Sequence, residues 1–162
     1  RITRSTSATL ARIDGVYVWE TAEENIHMYR GAGGELIRGN GAVSLDVASI
    51  GACLGAPNVR VLESWGTSHH YSITGTPADE VSIEVSGKNN GTAKTVRCIL
   101  TLPREQFSLT AICVVLLLER ALGLDGMLPA EPATYTPENI LNPDSFFISL
   151  CKVGVTVEIS TE

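Results

Sequence analysis

The segment EVSIEVSGKNNGTAKTVRCILTL, residues 80–102, decides the fold of this chain. Its first half alternates apolar and polar residues, which places Val81, Ile83 and Val85 on one side of an extended strand. A polar cluster, Gly87–Gly91, follows, and Thr95–Leu102 is again rich in strand-forming residues. Two such strands joined by a short polar turn predict a β-hairpin.

A helix is expected directly after the hairpin. Pro103 ends the sheet, and Ser108 or Thr110 can cap a helix that runs to about Leu122, just before Gly123. Its central run, Ala111–Leu118, is apolar on every face. Such a pattern predicts a helix that is buried all round.

The last third of the chain predicts a second helix and a closing strand. The helix begins at Pro137, is interrupted at Pro143, and resumes with Asp144 as N-cap through to Lys152. Val153–Ile159 is typical of a strand. Together with the hairpin, these elements form the C-terminal part of the predicted core.

The first half is predicted from alternation, helical spacing and glycine content. These signals predict three strands, a long glycine-rich loop and an amphipathic helix that stops near Gly55 and Pro57. The strands are Ile13–Glu20, Asn58–Glu63 and Ser68–Thr76, the loop is Asn25–Gly41, and the helix is Ala42–Leu54. We therefore predict an α+β fold, with a mixed or antiparallel β-sheet and helices packed on one face.

Composition limits the possible partners. The 162 residues suit one domain over residues 1–162, since domains often have roughly 100–150 residues. A net charge of -6, without a cluster of Lys or Arg, argues against nucleic acid and anionic membranes. Ala111–Leu118 is far shorter than the roughly 20 residues that span a bilayer, so we expect a soluble protein. Only 19% of residues are charged, which favours a surface partly covered by a second domain or subunit.

The cysteines point to a reducing compartment. They are widely spaced in apolar stretches and form no C-x-x-C pair, which predicts buried free thiols: Cys53, Cys98, Cys113 and Cys151. No secretory leader is recognisable, so we expect a cytoplasmic protein. The chain opens on Arg1 without Met, which suggests a mature fragment, a trimmed chain or a piece cut from a longer polypeptide.

Few residues suggest chemistry. The glycines of Gly31–Gly34 begin like a dinucleotide fingerprint, but Leu36 stands where its last glycine is required. His69 and His70 are adjacent on a predicted strand and would point to opposite faces, so they cannot chelate one metal together, although one of them could face a cleft. Arg97 interrupts an apolar strand on the side opposite Val96 and Cys98.

The sequence allows two interpretations of Arg97. It is an ordinary surface residue if its face is solvated, and it needs an anionic partner, such as a substrate carboxylate, if that face is covered. His70 and Arg97 are therefore the candidate substrate-binding residues, for a small anionic substrate. We identify no catalytic, cofactor-binding or metal-binding residue.

The second half of the chain resembles the C-terminal domain of saccharopine-dehydrogenase-like oxidoreductases. The motifs, in order, are a hairpin with a G-x-x-x-G turn, a nearly all-apolar helix, a loop with Pro and Glu, a Pro-led segment with paired Phe, and a Gly-Val-x-Val strand. They lie at Val85–Gly91, Ala111–Leu118, Gly126–Glu131, Pro143–Leu150 and Gly154–Val157. One departure is that the apolar helix opens with Ser108-Leu109-Thr110, where family members often have a glycine and a proline close to the cofactor.

This resemblance implies a substrate-binding and oligomerisation domain of an NAD- or NADP-dependent oxidoreductase. The chain would be the C-terminal part of a longer enzyme, inactive by itself because the Rossmann domain that holds the cofactor is absent. The alternative is a stand-alone α+β module that dimerises or binds a small ligand without catalysis. A Rossmann sequence upstream of Arg1 in the reading frame would favour the first hypothesis, and a start codon immediately before Arg1 the second.

A homodimer is expected from the composition of the hairpin. The outer face of the sheet, which carries Ser82, Glu84, Thr95 and Arg97, has a sparse and mixed polarity. A hairpin also leaves a strand edge that must be covered. We therefore predict that two copies join through this outer face.

Overall fold

The computed structural model describes residues 8–103 and 108–162. The chain forms two compact units that divide after Gly66. Unit 1 ends at Gly66 and unit 2 begins at Thr67. Two compact units can belong to one domain, so the expectation of a single domain over residues 1–162 stays a prediction.

Unit 1 begins with a hairpin of β1 (Thr9–Ile13) and β2 (Val16–Glu20). The turn residues Asp14 and Gly15 have φ values of 49° and 83°, the left-handed pair that a tight two-residue turn requires. The prediction of one strand over Ile13–Glu20 is therefore wrong at its start. The Asp-Gly pair reverses the chain within the predicted strand.

A second hairpin follows in unit 1, formed by β3 (Ile26–Arg30) and β4 (Leu36–Gly41). The short strand β5 (Leu62–Glu63) pairs with β4 and gives the order β3-β4-β5. The prediction of a loop over Asn25–Gly41 is wrong, because only the glycine-rich centre is a turn. The strand predicted over Asn58–Glu63 is limited to β5 and a single bridge between Val59 and Arg12.

Helix α1 (Asp46–Leu54) confirms the predicted amphipathic helix and its end, but it begins four residues after the predicted start at Ala42. It ends at Gly55, whose φ of 63° is the left-handed conformation that commonly terminates helices. Val47 on this helix and Ala11 on β1 are fully buried, and α1 packs against β1.

Unit 2 is built on the predicted hairpin. Strands β6 (Asp79–Asn89) and β7 (Thr92–Leu102) pair along their whole length, and β8 (Thr156–Thr161) adds antiparallel to the other side of β7. The turn itself is only Asn90-Gly91, with φ values of 51° and 82°. Most of the polar cluster that was expected to form the turn therefore belongs to the strands.

Four helices complete the described part of unit 2. They are α2 (His69–Thr74), α3 (Ser108–Leu122), α4 (Pro137–Ile140) and α5 (Pro143–Lys152). The predicted end of α3 at Leu122 and the break at Pro143 are confirmed, whereas Ser108 and Thr110 lie inside α3 and not at an N-cap position before it. The N-cap of α5 is Asn142, whose side chain accepts a hydrogen bond from the Ser145 backbone N–H, and not Asp144.

The main core of unit 2 lies between the sheet and two of its helices. Its buried members come from β7, α3, α5 and the residue before β8: Leu100, Leu102, Leu109, Leu150 and Val155. Residues from α3, including Ile112 and Leu116, pack against them. Antiparallel sheets with α3 and α5 on one face confirm the predicted α+β class.

Helix α3 is not buried all round, which corrects the sequence-based expectation. Four apolar side chains on the side away from the sheet are more than half exposed: Val114, Val115, Leu118 and Leu122. The physical reason is that a single sheet covers one side of a helix. The opposite side stays open unless another layer covers it.

The four cysteines are free, as predicted, but they are not all buried. Cys53 and Cys151 are exposed, whereas Cys98 and Cys113 are half-buried. Burial raises the pKa of the Cys98 and Cys113 thiols. Among the described helices, none has both the length and the hydropathy that crossing a bilayer requires.

Candidate functional site

His70 lies on a helix and not on a strand. Helix α2 begins at His69, and the Ser68 hydroxyl caps it by accepting a hydrogen bond from the Tyr71 backbone N–H at 3.1 Å. Glu80 adds a second cap, since its carboxylate accepts the backbone N–H groups of His69 at 2.9 Å and His70 at 2.7 Å. The strand predicted over Ser68–Thr76 is therefore wrong, and a carboxylate from β6 supplies the reason.

On a helix, as on a strand, His69 and His70 point in different directions. Neighbouring residues on a helix point about 100° apart, so His69 and His70 still do not face one ligand together. Among the described residues, no three His, Cys, Asp or Glu side chains are grouped closely enough to hold a metal ion.

Arg97 lies on the outer face of the sheet, with its side chain only 11% exposed. Its guanidinium donates a hydrogen bond to Glu84, directly opposite on β6, at 2.9 Å. The anionic partner that a covered Arg97 requires is therefore supplied by the same chain. Its Nε atom is buried and has no hydrogen-bond partner among the described residues.

The two predicted site residues do not form one compact pocket. Glu80, which binds the α2 backbone at His70, is opposite Thr101, whereas Arg97 is opposite Glu84. Four strand positions separate these two points on the outer face, a distance of about 13 Å. A role of His70 and Arg97 in substrate binding stays a prediction.

A polar cluster in unit 1 was missed at the sequence level. The Glu20 carboxylate lies between Arg60, at 2.9 Å, and the His27 ring, at 3.3 Å, and its side chain is only 10% exposed. Burial raises the pKa of Glu20, but the hydrogen bonds and positive charge of Arg60 and His27 outweigh it, so the net pKa lies below its usual range. The three residues are far apart in sequence, so no motif reveals them.

This cluster holds elements together and leaves little capacity for chemistry. Arg60 engages Oε1 of Glu20 while His27 engages Oε2, so each carboxylate oxygen already has a partner within unit 1. Nearby on β3, the Tyr29 hydroxyl pairs with Ser64 at 2.6 Å. These polar groups bind one another, which is typical of a structural network.

Unit 2 contains an open cleft of about 390 Å³ beside the end of α3. That volume is at the lower end of small-molecule sites. Arg120 reaches into its wall, donating to the Leu128 carbonyl at 3.0 Å, and Tyr135 donates to the Glu131 carbonyl at 2.9 Å. The wall includes Met127–Glu131 of the Pro-Glu loop, one of the segments that carry the family resemblance.

Unit 2 exposes apolar side chains on one face of its sheet. Val81, Ile83 and Val85 of β6 are 41–54% exposed on the face that α3 and α5 cover elsewhere, which we call the helix-side face. They join the exposed side chains of α3 as apolar groups in contact with water. Exposed apolar surface of this kind marks interaction sites in soluble proteins.

Comparisons with known proteins add no relative. No protein-family model matches the sequence, and no curated protein is similar to it. The resemblance to the saccharopine-dehydrogenase-like oxidoreductases therefore depends on the motifs of this chain alone.

Proposed function

We propose that this chain is the substrate-binding and oligomerisation region of an NAD(P)-dependent oxidoreductase similar to saccharopine dehydrogenases. The observation that carries the proposal is the order of elements in unit 2. The hairpin, the apolar helix α3, the Pro-Glu loop, the Pro-led helix α5 and the closing strand β8 follow one another as the resemblance implies. The cofactor would be held by a Rossmann domain outside this chain.

The strand pairing of the chain supports the placement of the cofactor in another domain. All described strand pairs are antiparallel. A dinucleotide pyrophosphate is held by a glycine turn between a parallel strand and a helix, an arrangement that the described strands do not form. Hydride transfer would then need the second domain, and the free cysteines fit a cytoplasmic enzyme.

The exposed apolar side of α3 supports an interaction role. Val114, Val115, Leu118 and Leu122 carry no charge, although the whole chain has a net charge of -6. A surface that lacks charge in an acidic chain is suited to another apolar surface, from a second copy or from a second domain.

Substrate recognition by Arg97 would involve exchange of an ion pair. Glu84 is 47% exposed, so a substrate carboxylate could replace it on the guanidinium of Arg97. This explains how a residue that is already paired can serve a small anionic substrate. Glu84→Gln should then tighten binding of such a substrate by the assembled enzyme, and Arg97→Gln should weaken it.

A stand-alone α+β module for dimerisation or ligand binding is the second candidate, favoured by the cleft beside Arg120. The encoding reading frame separates the two. A dinucleotide-binding sequence upstream of Arg1, together with NAD(P)-dependent activity of the whole product, would support the oxidoreductase. A start codon immediately before Arg1 would contradict it.

A further inference from the structure

Strand β6 is a long, open edge of the unit 2 sheet. It has 11 residues, pairs only with β7 among the described strands, and is exposed at every position of the segment Val81–Asn89. Natural proteins normally shorten, cover or charge such an edge, because its unpaired backbone groups can bind another strand. Lys88 is the one positive charge on β6, and it lies next to the turn.

The direction of the free backbone groups follows from the register. Thr95 exchanges both backbone hydrogen bonds with Glu162, at 2.9 Å each, so its polar groups point towards β8. Neighbouring residues on β7 alternate, and Val96 therefore points towards Val85 on β6. It follows that the backbone N–H and C=O groups of Ser82, Glu84 and Ser86 point away from the sheet.

We propose that a second copy of this chain binds at the β6 edge rather than on the outer face predicted from the sequence. The two β6 strands pair antiparallel, with a two-fold axis at Ile83. The two three-stranded sheets then form one six-stranded sheet. The outward backbone groups of Ser82 and Glu84 bond to Glu84 and Ser82 of the other copy. This assigns a specific surface to the oligomerisation that the proposed function requires, and it depends on that function.

The side chains of β6 complement themselves in this register. Val81 lies opposite Val85 of the second copy, and Ile83 lies opposite Ile83 of the second copy. These pairs cover the apolar residues that are exposed on the helix-side face. On the outer face, Ser82 lies opposite Glu84. Each Glu84 is already paired with Arg97 of its own chain, so no carboxylate needs a new counter-charge.

The neighbouring registers place like charges together. Residues directly opposite each other must share a face, so the pairing can shift only in steps that keep this match. A centre at Ser82 places Glu80 opposite Glu84, and a centre at Glu84 places that carboxylate opposite itself. Like charges directly opposite destabilise a strand pair, so the centre at Ile83 is favoured over these two.

The other edge of the sheet is a weaker candidate. Strand β8 has 6 residues, against 11 in β6, and therefore offers fewer backbone groups. Short edge strands are one of the ways in which proteins prevent edge pairing. In β8 the backbone groups of Ile159 point outward, because Ile159 is opposite Cys98, whose own groups point to β6.

Matched proline variants on the two edges test the proposal. Ser82→Pro removes an outward N–H and leaves the β6–β7 hydrogen bonds intact, and Ile159→Pro does the same on β8. Sedimentation equilibrium of the chain at up to about 100 µM should show a dimer for the unchanged chain and for Ile159→Pro. Ser82→Pro should raise the dissociation constant at least about tenfold, because both symmetric bonds are lost.

Charge variants test the register without disturbing the backbone. Ser82→Lys places a positive charge opposite Glu84 of the second copy and should tighten the dimer, whereas Ser82→Glu should weaken it. Circular dichroism of each variant confirms that the chain is folded. A dimer that none of the Ser82 variants changes would overturn the β6 pairing and leave the oligomerisation role intact. A monomer at the highest concentration would overturn both, and a dimer lost only in Ile159→Pro would assign the interface to β8.

Discussion

Leu116→Ala tests the packing of α3 most directly. Leu116 is half-buried and packs against the buried cluster of Leu100, Leu102 and Leu150. Leu118 lies two residues later on the same helix, is 53% exposed, and faces away from the sheet. The two substitutions remove the same atoms from the same helix, so Leu118→Ala is a matched control.

The expected costs follow from burial. A fully buried Leu→Ala change costs about 2–5 kcal/mol, from lost transfer free energy and from the cavity left behind. Because Leu116 keeps part of its surface in water, we expect about 2 kcal/mol for Leu116→Ala, at the lower limit of that range. Leu118→Ala should cost less than about 1 kcal/mol, as is usual for surface substitutions.

Urea unfolding measured by far-ultraviolet circular dichroism gives these free energies of unfolding. Both tryptophans, Trp19 and Trp65, lie in unit 1, so their fluorescence follows that unit in the same samples. The protein concentration is kept constant, because a dimer makes stability depend on it. A loss below about 1 kcal/mol for Leu116→Ala, or equal losses for the two variants, would refute the packing described for α3.

Three further outcomes are expected. Glu20→Gln should destabilise unit 1 by about 1–3 kcal/mol at neutral pH, in urea unfolding followed by tryptophan fluorescence. Because the pKa of Glu20 is lowered in the folded state, its contribution is present above the ordinary value of 4.5 and is lost as pH falls below it, so the variant should lose less stability there. A thiol reagent should modify the exposed cysteines first, Cys53 and Cys151, and the half-buried ones slowly, Cys98 and Cys113. Titration calorimetry of this chain with NADH or NADPH should detect no binding in the low micromolar range, and such binding would contradict the placement of the cofactor in another domain.

The resemblance and the structure support different parts of the proposed function. The motifs alone suggest a nicotinamide enzyme, whereas the geometry supports an interaction surface. Arg97 belongs to neither argument alone, since its place in an apolar strand suggested a substrate contact and the structure pairs it with Glu84. The β6 edge, by contrast, was noted in the sequence only as an edge that needs cover. The direction of its outward backbone groups followed from the pairing of β7 with β8.

The sequence alone determined the elements whose local signals agree. The hairpin of β6 and β7 has alternating apolar residues and an Asn-Gly turn, and α3 and α5 are bounded by Pro, Asn and Gly. In these segments, local preference and final structure coincide, which is why the sequence predicts them. The Asp14-Gly15 turn gave an equally local signal that the alternation of its neighbours obscured.

Elements whose local preference is weak or misleading depend on contacts with other parts of the chain. Strand β4 contains Gly39 and Gly41, which disfavour strands, and it forms because β3 and β5 supply its hydrogen bonds. Helix α2 has few helix-forming residues, and the Glu80 carboxylate stabilises it from β6. The exposure of one side of α3 is likewise decided by what packs on it. Burial is a property of the neighbouring surfaces, and a segment that is apolar on every side does not specify which side they cover.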